Sequence, residues 1–140
     1  MMKTAIQQAR AQAVPVWVTL VVVLSAVLMG MGAVIALVQP AMLVNPHAEI
    51  NRAVRIYAGY LTARNLTLAV MLLILLMVGA RRALGNLVAL VGFIQLFDFC
   101  VDCAETRWTV APGVLVLGIL LLIAAARISG AAFWKREAWS

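Results

Sequence analysis

The stretch VPVWVTLVVVLSAVLMGMGAVIALV, residues 14–38, carries no charged side chain in 25 positions. About 20 helical residues cross the hydrocarbon core of a bilayer, so this run is long enough to span one. It exceeds the apolar segment of about 7–15 residues found in a secretory leader. No small-x-small cleavage signal closely follows Gln39-Pro40. The run therefore reads as a retained membrane helix.

Three more runs of similar character follow, at about residues 57–78, 84–103 and 110–128. Helices are the expected form, because lipid offers no partner to an unsatisfied backbone group. Barrel strands would alternate over about ten residues, and the runs show no such alternation. Composition agrees: 66% of the 140 residues are apolar and 11% charged, against about 45–50% and about 25% in a soluble domain. That balance excludes a disordered chain and is far too apolar for one soluble domain. The expectation is an all-α integral membrane protein, a single transmembrane domain over residues 1–140.

Local signals set the boundaries. Pro15 can open the first helix and Pro40 follows its end. Asn45-Pro46 pairs a capping residue with a first-turn proline, which predicts that the second helix starts near residue 46 and runs to Gly79. Gly79 suits a helix C-cap, and Ala111-Pro112 suits a helix start. The connections at 79–83 and 103–109 are short, which predicts an up-down-up-down four-helix bundle. The second and third helices should form an antiparallel hairpin. The small-x-x-x-small pairs Ala26/Gly30 and Gly32/Ala36 mark the first helix for close packing within the bundle or for a dimer face.

Charge predicts orientation. Lys3, Arg10, Arg81, Arg82, Arg127, Lys135 and Arg136 fall on one side of such a bundle, and Arg52, Arg55 and Arg107 on the other. The basic-rich side is cytoplasmic by the positive-inside rule, which places both termini inside. The net charge of +6 then serves lipid headgroups, and no basic–aromatic surface for nucleic acid is seen. Trp17, Trp108, Trp134 and Trp139 stand at run ends, where interfacial aromatics belong. The tail 130–140 mixes aromatic and basic residues, which suits the inner headgroup layer. The expected place is the cell inner (plasma) membrane.

Polar residues within spans are the functional candidates, because they are costly there. Tyr57, Tyr60, Arg64 and Thr67 share one face of the second helix, with Asn65 beside them. Gln95, Asp98 and Asp102 form a stripe on the third. Arg64 lies roughly 10 Å inward of Tyr57, and Asp98 roughly 8 Å inward of Cys103, at 1.5 Å per helical residue. The two charges are therefore expected to meet as a buried pair, with Gln95 and Asn65 beside it and Asp102 reaching the headgroups. One reading makes the pair a fixer of helix register. The other makes Tyr57, Tyr60, Arg64, Asn65, Gln95 and Asp98 a site for a small lipophilic ligand in an apolar pocket. A through-path for ions would need ionisable groups at several depths, and the inner half of each run has almost none.

Cys100-Val-Asp-Cys103 has the C-x-x-C spacing of a thiol-redox pair. A structural disulfide and free packing cysteines are the alternatives, and a quinone-linked relay needs a second cysteine pair. The single His47 has no recognised ligand spacing beside it. No metal site and no cofactor are expected.

The segments RIYAGYLTARNL (55–66), GARRALG (79–85) and Gln95-x-x-Asp98 resemble small four-span membrane proteins of unknown function, loosely DoxX-like. The resemblance covers about residues 50–103. It implies a four-helix membrane fold and an emphasis on Arg64 and Asp98. Some DoxX-like proteins are linked to sulfur or quinone oxidation, but no catalytic motif of theirs is matched here. Binding or conversion of a lipophilic molecule is the leading expectation. The alternatives are a non-catalytic accessory subunit of a larger membrane complex or homo-oligomer, and a thiol-redox protein using Cys100 and Cys103.

Overall fold

The computed structural model describes residues 14–44 and 49–130. Four long helices dominate them: α1 (Val16–Val38), α2 (Arg52–Val78), α3 (Arg81–Ala104) and α4 (Ala111–Ser129). A 3-10 turn, Pro40–Leu43, follows α1. Each long helix is long and apolar enough to cross a membrane, and among the described residues there is no strand. Lys3, Arg10, His47, Lys135, Arg136, Trp134 and Trp139, the 131–140 tail and the Asn45-Pro46 start signal lie outside the described residues.

The helix ends follow from local chemistry. The α1 helix opens at Pro15, whose carbonyl accepts from the Thr19 amide at 3.1 Å. It stops before Pro40, which cannot donate to continue the ladder. The α2 helix begins at Arg52, later than the expected start near residue 46, because Asn51 supplies the cap. Its side-chain oxygen accepts from the Val54 amide at 3.1 Å, which satisfies one orphan donor of the first turn. At the other end Gly79 sits at φ 73°. The Gly79 amide donates to Leu76 O and the Ala80 amide to Leu75 O, the paired bonds of a Schellman C-cap. Only Gly adopts that φ without a steric penalty, and α3 starts two residues later.

Close approaches fix the register. Thr62 Oγ1 donates to Ala33 O at 3.0 Å, sharing its proton with Ala58 O, and Gly32 faces Asn65. Gly85 faces Ile128 and Ser129, while Gly92 faces Leu122 and Gly118. Arg64 meets Asp98. In every pair one number falls as the other rises, so consecutive helices are antiparallel and the bundle runs up-down-up-down.

The antiparallel α2–α3 hairpin forms as expected, but it is not the closest contact of the bundle. The intimate pairs are α3 with α4 and α1 with α2. The α2–α3 seam is sparse despite its tight turn, and α1 meets α4 as sparingly. A short turn dictates antiparallel direction but not intimacy. Intimacy depends on side-chain size at the seam, and three glycines, Gly85, Gly92 and Gly118, lie where α3 meets α4. A Cβ at Gly85 would stand 2.9 Å from Ser129 Oγ, and one at Gly92 2.9 Å from Leu122 Cδ2. At Gly118 it would stand 3.2 Å from Gln95 Cβ and 3.4 Å from Gly92 O. Small residues let membrane helices approach closely. Of the small residues noted on α1, Ala26 and Ala36 are buried, whereas nothing lies within 4 Å of a Cβ built at Gly30.

The core is lopsided. Its buried members are Val18, Val22, Ala26 and Met29 of α1, Ala69 and Leu72 of α2, Leu84, Val88, Ala89 and Val91 of α3, and Leu121, Ala124, Ala125 and Ile128 of α4. All belong to the half of the bundle that holds the α2–α3 turn. The opposite half, with residues 30–38, 52–66, 92–104 and 111–116, contributes almost nothing to this core. The outward faces carry Leu20, Val27, Leu66, Ile74, Leu90 and Ile119, all exposed. An apolar surface of that extent matches hydrocarbon better than water.

Candidate functional site

The open half of the bundle contains a cavity of about 380 Å³ to which all four helices contribute. Its walls are apolar: Leu28 and Met29 from α1, Val91 and Ile94 from α3, Val114 and Leu117 from α4. Gly32 and Gly113 leave the room. A Cβ at Gly32 would stand 3.6 Å from Asn65 Nδ2, so the Asn65 amide lies over this glycine. A Cβ at Gly113 would meet nothing within 4 Å. Three polar side chains enter the lining: Asn65 of α2 and Gln95 and Asp98 of α3.

Arg64 ties this polar edge together from outside the cavity. Its Nη2 lies 3.3 Å from Asp98 Oδ2, and its Nε donates to Asn65 Oδ1 at 3.4 Å. One guanidinium thereby bridges the sparse α2–α3 seam and orients two of the three polar groups. Its fork geometry suits it to two acceptors at once. Asp98 Oδ1 and the Gln95 amide make no side-chain hydrogen bond among the described residues. They remain available to a bound molecule.

The expected Arg64–Asp98 contact is made, but the pair is not buried. The two side chains are 41% and 39% exposed, because the open half has no core to enclose them. The shared face predicted for Tyr57, Tyr60 and Arg64 is turned away from the cavity. Tyr57 and Tyr60 are 72% and 69% exposed, and Tyr57 lines a separate apolar groove of about 400 Å³ with Leu43, Val44 and Leu61. A larger groove, about 570 Å³, runs beside Gln39, Pro40 and Arg55 at the α1–α2 connection. Asn65, one residue round the helix from Arg64, is the α2 side chain in the cavity.

Asp102 departs furthest from expectation. It does not reach outward to headgroups; it is 6% exposed. Arg107 folds back over it, with Nη1 3.0 Å from Asp102 Oδ1 and the Arg107 amide donating to Asp102 O at 2.8 Å. The reversal that permits this passes through Thr106 at φ 56°, a left-handed backbone that a β-branched residue rarely adopts. Sequence reading missed this pair. The signal was present, an acid and a base five residues apart across a helix end, but it does not say which way the loop folds.

Cys100 and Cys103 are free thiols, Cys100 exposed and Cys103 partly buried. Neither belongs to the lining of the central cavity. Among the described residues no group of three His, Cys, Asp or Glu side chains is placed to hold a metal ion. The sequence Arg64-Asn65 on one helix and Gln95-x-x-Asp98 on the next is thus brought together, whereas the tyrosines and cysteines stand apart from it. Searches for related proteins add no assignment: no family model, curated protein or solved structure matches the chain.

Proposed function

We propose that this chain is a multi-pass protein of the cell inner (plasma) membrane that binds a small lipophilic molecule in the four-helix cavity. The observation that carries the reading is the cavity itself: about 380 Å³ of apolar wall with Asn65, Gln95 and Asp98 at one edge. Small-molecule sites have this composition, mostly apolar with a few convergent polar groups that fix orientation. The distribution of Lys and Arg along the sequence supports cytoplasmic termini. The cavity then faces the outer leaflet. The DoxX-like resemblance of residues 50–103 supports the emphasis on Arg64 and Asp98.

Gly113→Leu tests it. The new side chain meets no atom within 4 Å of its Cβ and occupies part of the cavity that Gly113 lines. A photoactivatable dodecanol should label the cavity residues Leu28, Ile94 or Leu117 saturably in the wild-type protein in bilayer discs. In Gly113→Leu that labelling should vanish, while labelling of the outward Leu20 and Ile123 persists. Uniform, non-saturable labelling that is indifferent to residue 113 sinks the reading.

A second reading, an accessory subunit that packs against another membrane protein or another copy, is favoured by one observation. The 27-residue α2 buries only Ala69 and Leu72. That reading expects Gly113→Leu to leave function intact and Leu66→Arg or Ile74→Arg on the exposed face of α2 to abolish it.

A further inference from the structure

The charge bookkeeping at the cavity edge determines what kind of head group fits there. Asp98 is the one ionisable side chain in the lining. Its charge is already matched by Arg64, at 3.3 Å through Oδ2. The same guanidinium holds Asn65 Oδ1, which leaves the Asn65 Nδ2 donors on the cavity side, over Gly32. What the edge offers a ligand is therefore two amide donors, an amide acceptor on Gln95, and the second oxygen, Oδ1, of a compensated carboxylate. Asp102, one turn along α3, is likewise held by a guanidinium, that of Arg107.

Given the cavity reading above, on which this rests, we propose that the site selects an uncharged amphiphile whose head group both donates and accepts hydrogen bonds. A primary amide or a hydroxy-carbonyl head has that character. A cation entering the apolar cavity sheds its hydration and finds in exchange a carboxylate already neutralised. An anion sheds its hydration as well, meets Asp98 as a like charge, and must compete with it for Arg64. A neutral donor–acceptor head gives up little solvation and satisfies Asp98 Oδ1 and the Gln95 and Asn65 amides together.

Three probes of equal chain length separate the cases: dodecanamide, dodecylammonium and dodecanesulfonate, the last chosen because a sulfonate stays ionised at the membrane where a carboxylate is driven to its neutral form. Each competes at pH 7 against the photoactivatable dodecanol for the cavity residues, in phosphatidylcholine discs, with occupancy referred to the membrane-bound probe concentration. Dodecanamide should compete about tenfold better than either ion, a difference of about 1.4 kcal/mol. Arg64→Met leaves Asp98 uncompensated and should turn the preference toward dodecylammonium. If an ion competes best against the wild-type protein, the neutrality inference is overturned while the cavity reading stands. If no labelling depends on residue 113, the cavity reading itself has failed. The order among wild-type competitors decides the matter even if Arg64→Met does not fold.

Discussion

Asp98 and Asp102 stand one helical turn apart on α3, and their surroundings differ completely. Asp102 is enclosed and bound by Arg107, whereas Asp98 is open on one side and shares Arg64 with Asn65. Removing one partner of an enclosed pair strands the other. Arg107→Met leaves Asp102 buried and unpaired and should cost about 2–3 kcal/mol, below the full buried-pair range because Arg107 is partly exposed. Asp102→Leu leaves a cation that can turn to solvent and should cost less. A double-mutant cycle by denaturant unfolding in detergent checks this: the double variant should lose clearly less than the sum of the singles. These residues also mark how far sequence reading reached. The helical stripe Gln95, Asp98, Asp102 was legible from spacing alone. The partner of Asp102 was not, since it depends on the chain reversing through Thr106 in a left-handed conformation. Nor was the exclusion of Tyr57 and Tyr60. They do share a face with Arg64, but which face of α2 meets the cavity is set by how α2 rotates against α1 and α3.

Between elements, the glycines divide into two kinds that the sequence presents alike. Gly85, Gly92 and Gly118 lie where α3 and α4 touch, with less than 3.5 Å for a Cβ, whereas Gly30 and Gly59 have open space. Gly118→Leu should destabilise the bundle by about 1–3 kcal/mol, the cost of overpacking a close contact. Gly59→Ala should stabilise it by up to about 1 kcal/mol through helix propensity. Unfolding midpoints by circular dichroism in the same detergent should move in opposite directions, and a parallel shift would mean that the α3–α4 contact is not glycine-controlled. The ends of the helices were more legible than their faces. Gly79 was readable as a cap because a glycine after an apolar run has one common local use. The α3–α4 contact required knowing which sides of two helices meet.

For the molecule as a whole, four spans could be read from composition, and all four are helices of nearly the expected extent. What reading for spans alone does not show is that one half is packed and the other hollow, although Val, Leu and Ile are denser in the packed half. Orientation decides which side of the membrane the hollow half faces. A reporter active only in the cytoplasm should work when fused after Ser140 and fail when inserted at Glu105, following the distribution of Lys and Arg. The reverse pattern would turn the cavity, Cys100 and Cys103 toward the reducing side.

The unequal helices have one more consequence. At 1.5 Å per residue, α2 is about 40 Å long and α4 about 28 Å. A hydrocarbon layer of about 30 Å covers α4 nearly end to end but is exceeded by α2. With Arg52 and Arg55 of its first turns in the headgroups, the apolar run 57–78 of α2 is about 33 Å and fits a thinner layer by tilting; the sparse α2–α3 seam is where α2 has freedom to lean. Bilayer thickness then acts as a lever on the seam that Arg64 bridges. Thin membranes should splay α2 and widen the cavity, and thick ones should draw it upright. Saturable photolabelling of Ile94 and Leu117 should accordingly fall as the discs are made from lipids of increasing acyl length, while labelling of Leu20 holds constant.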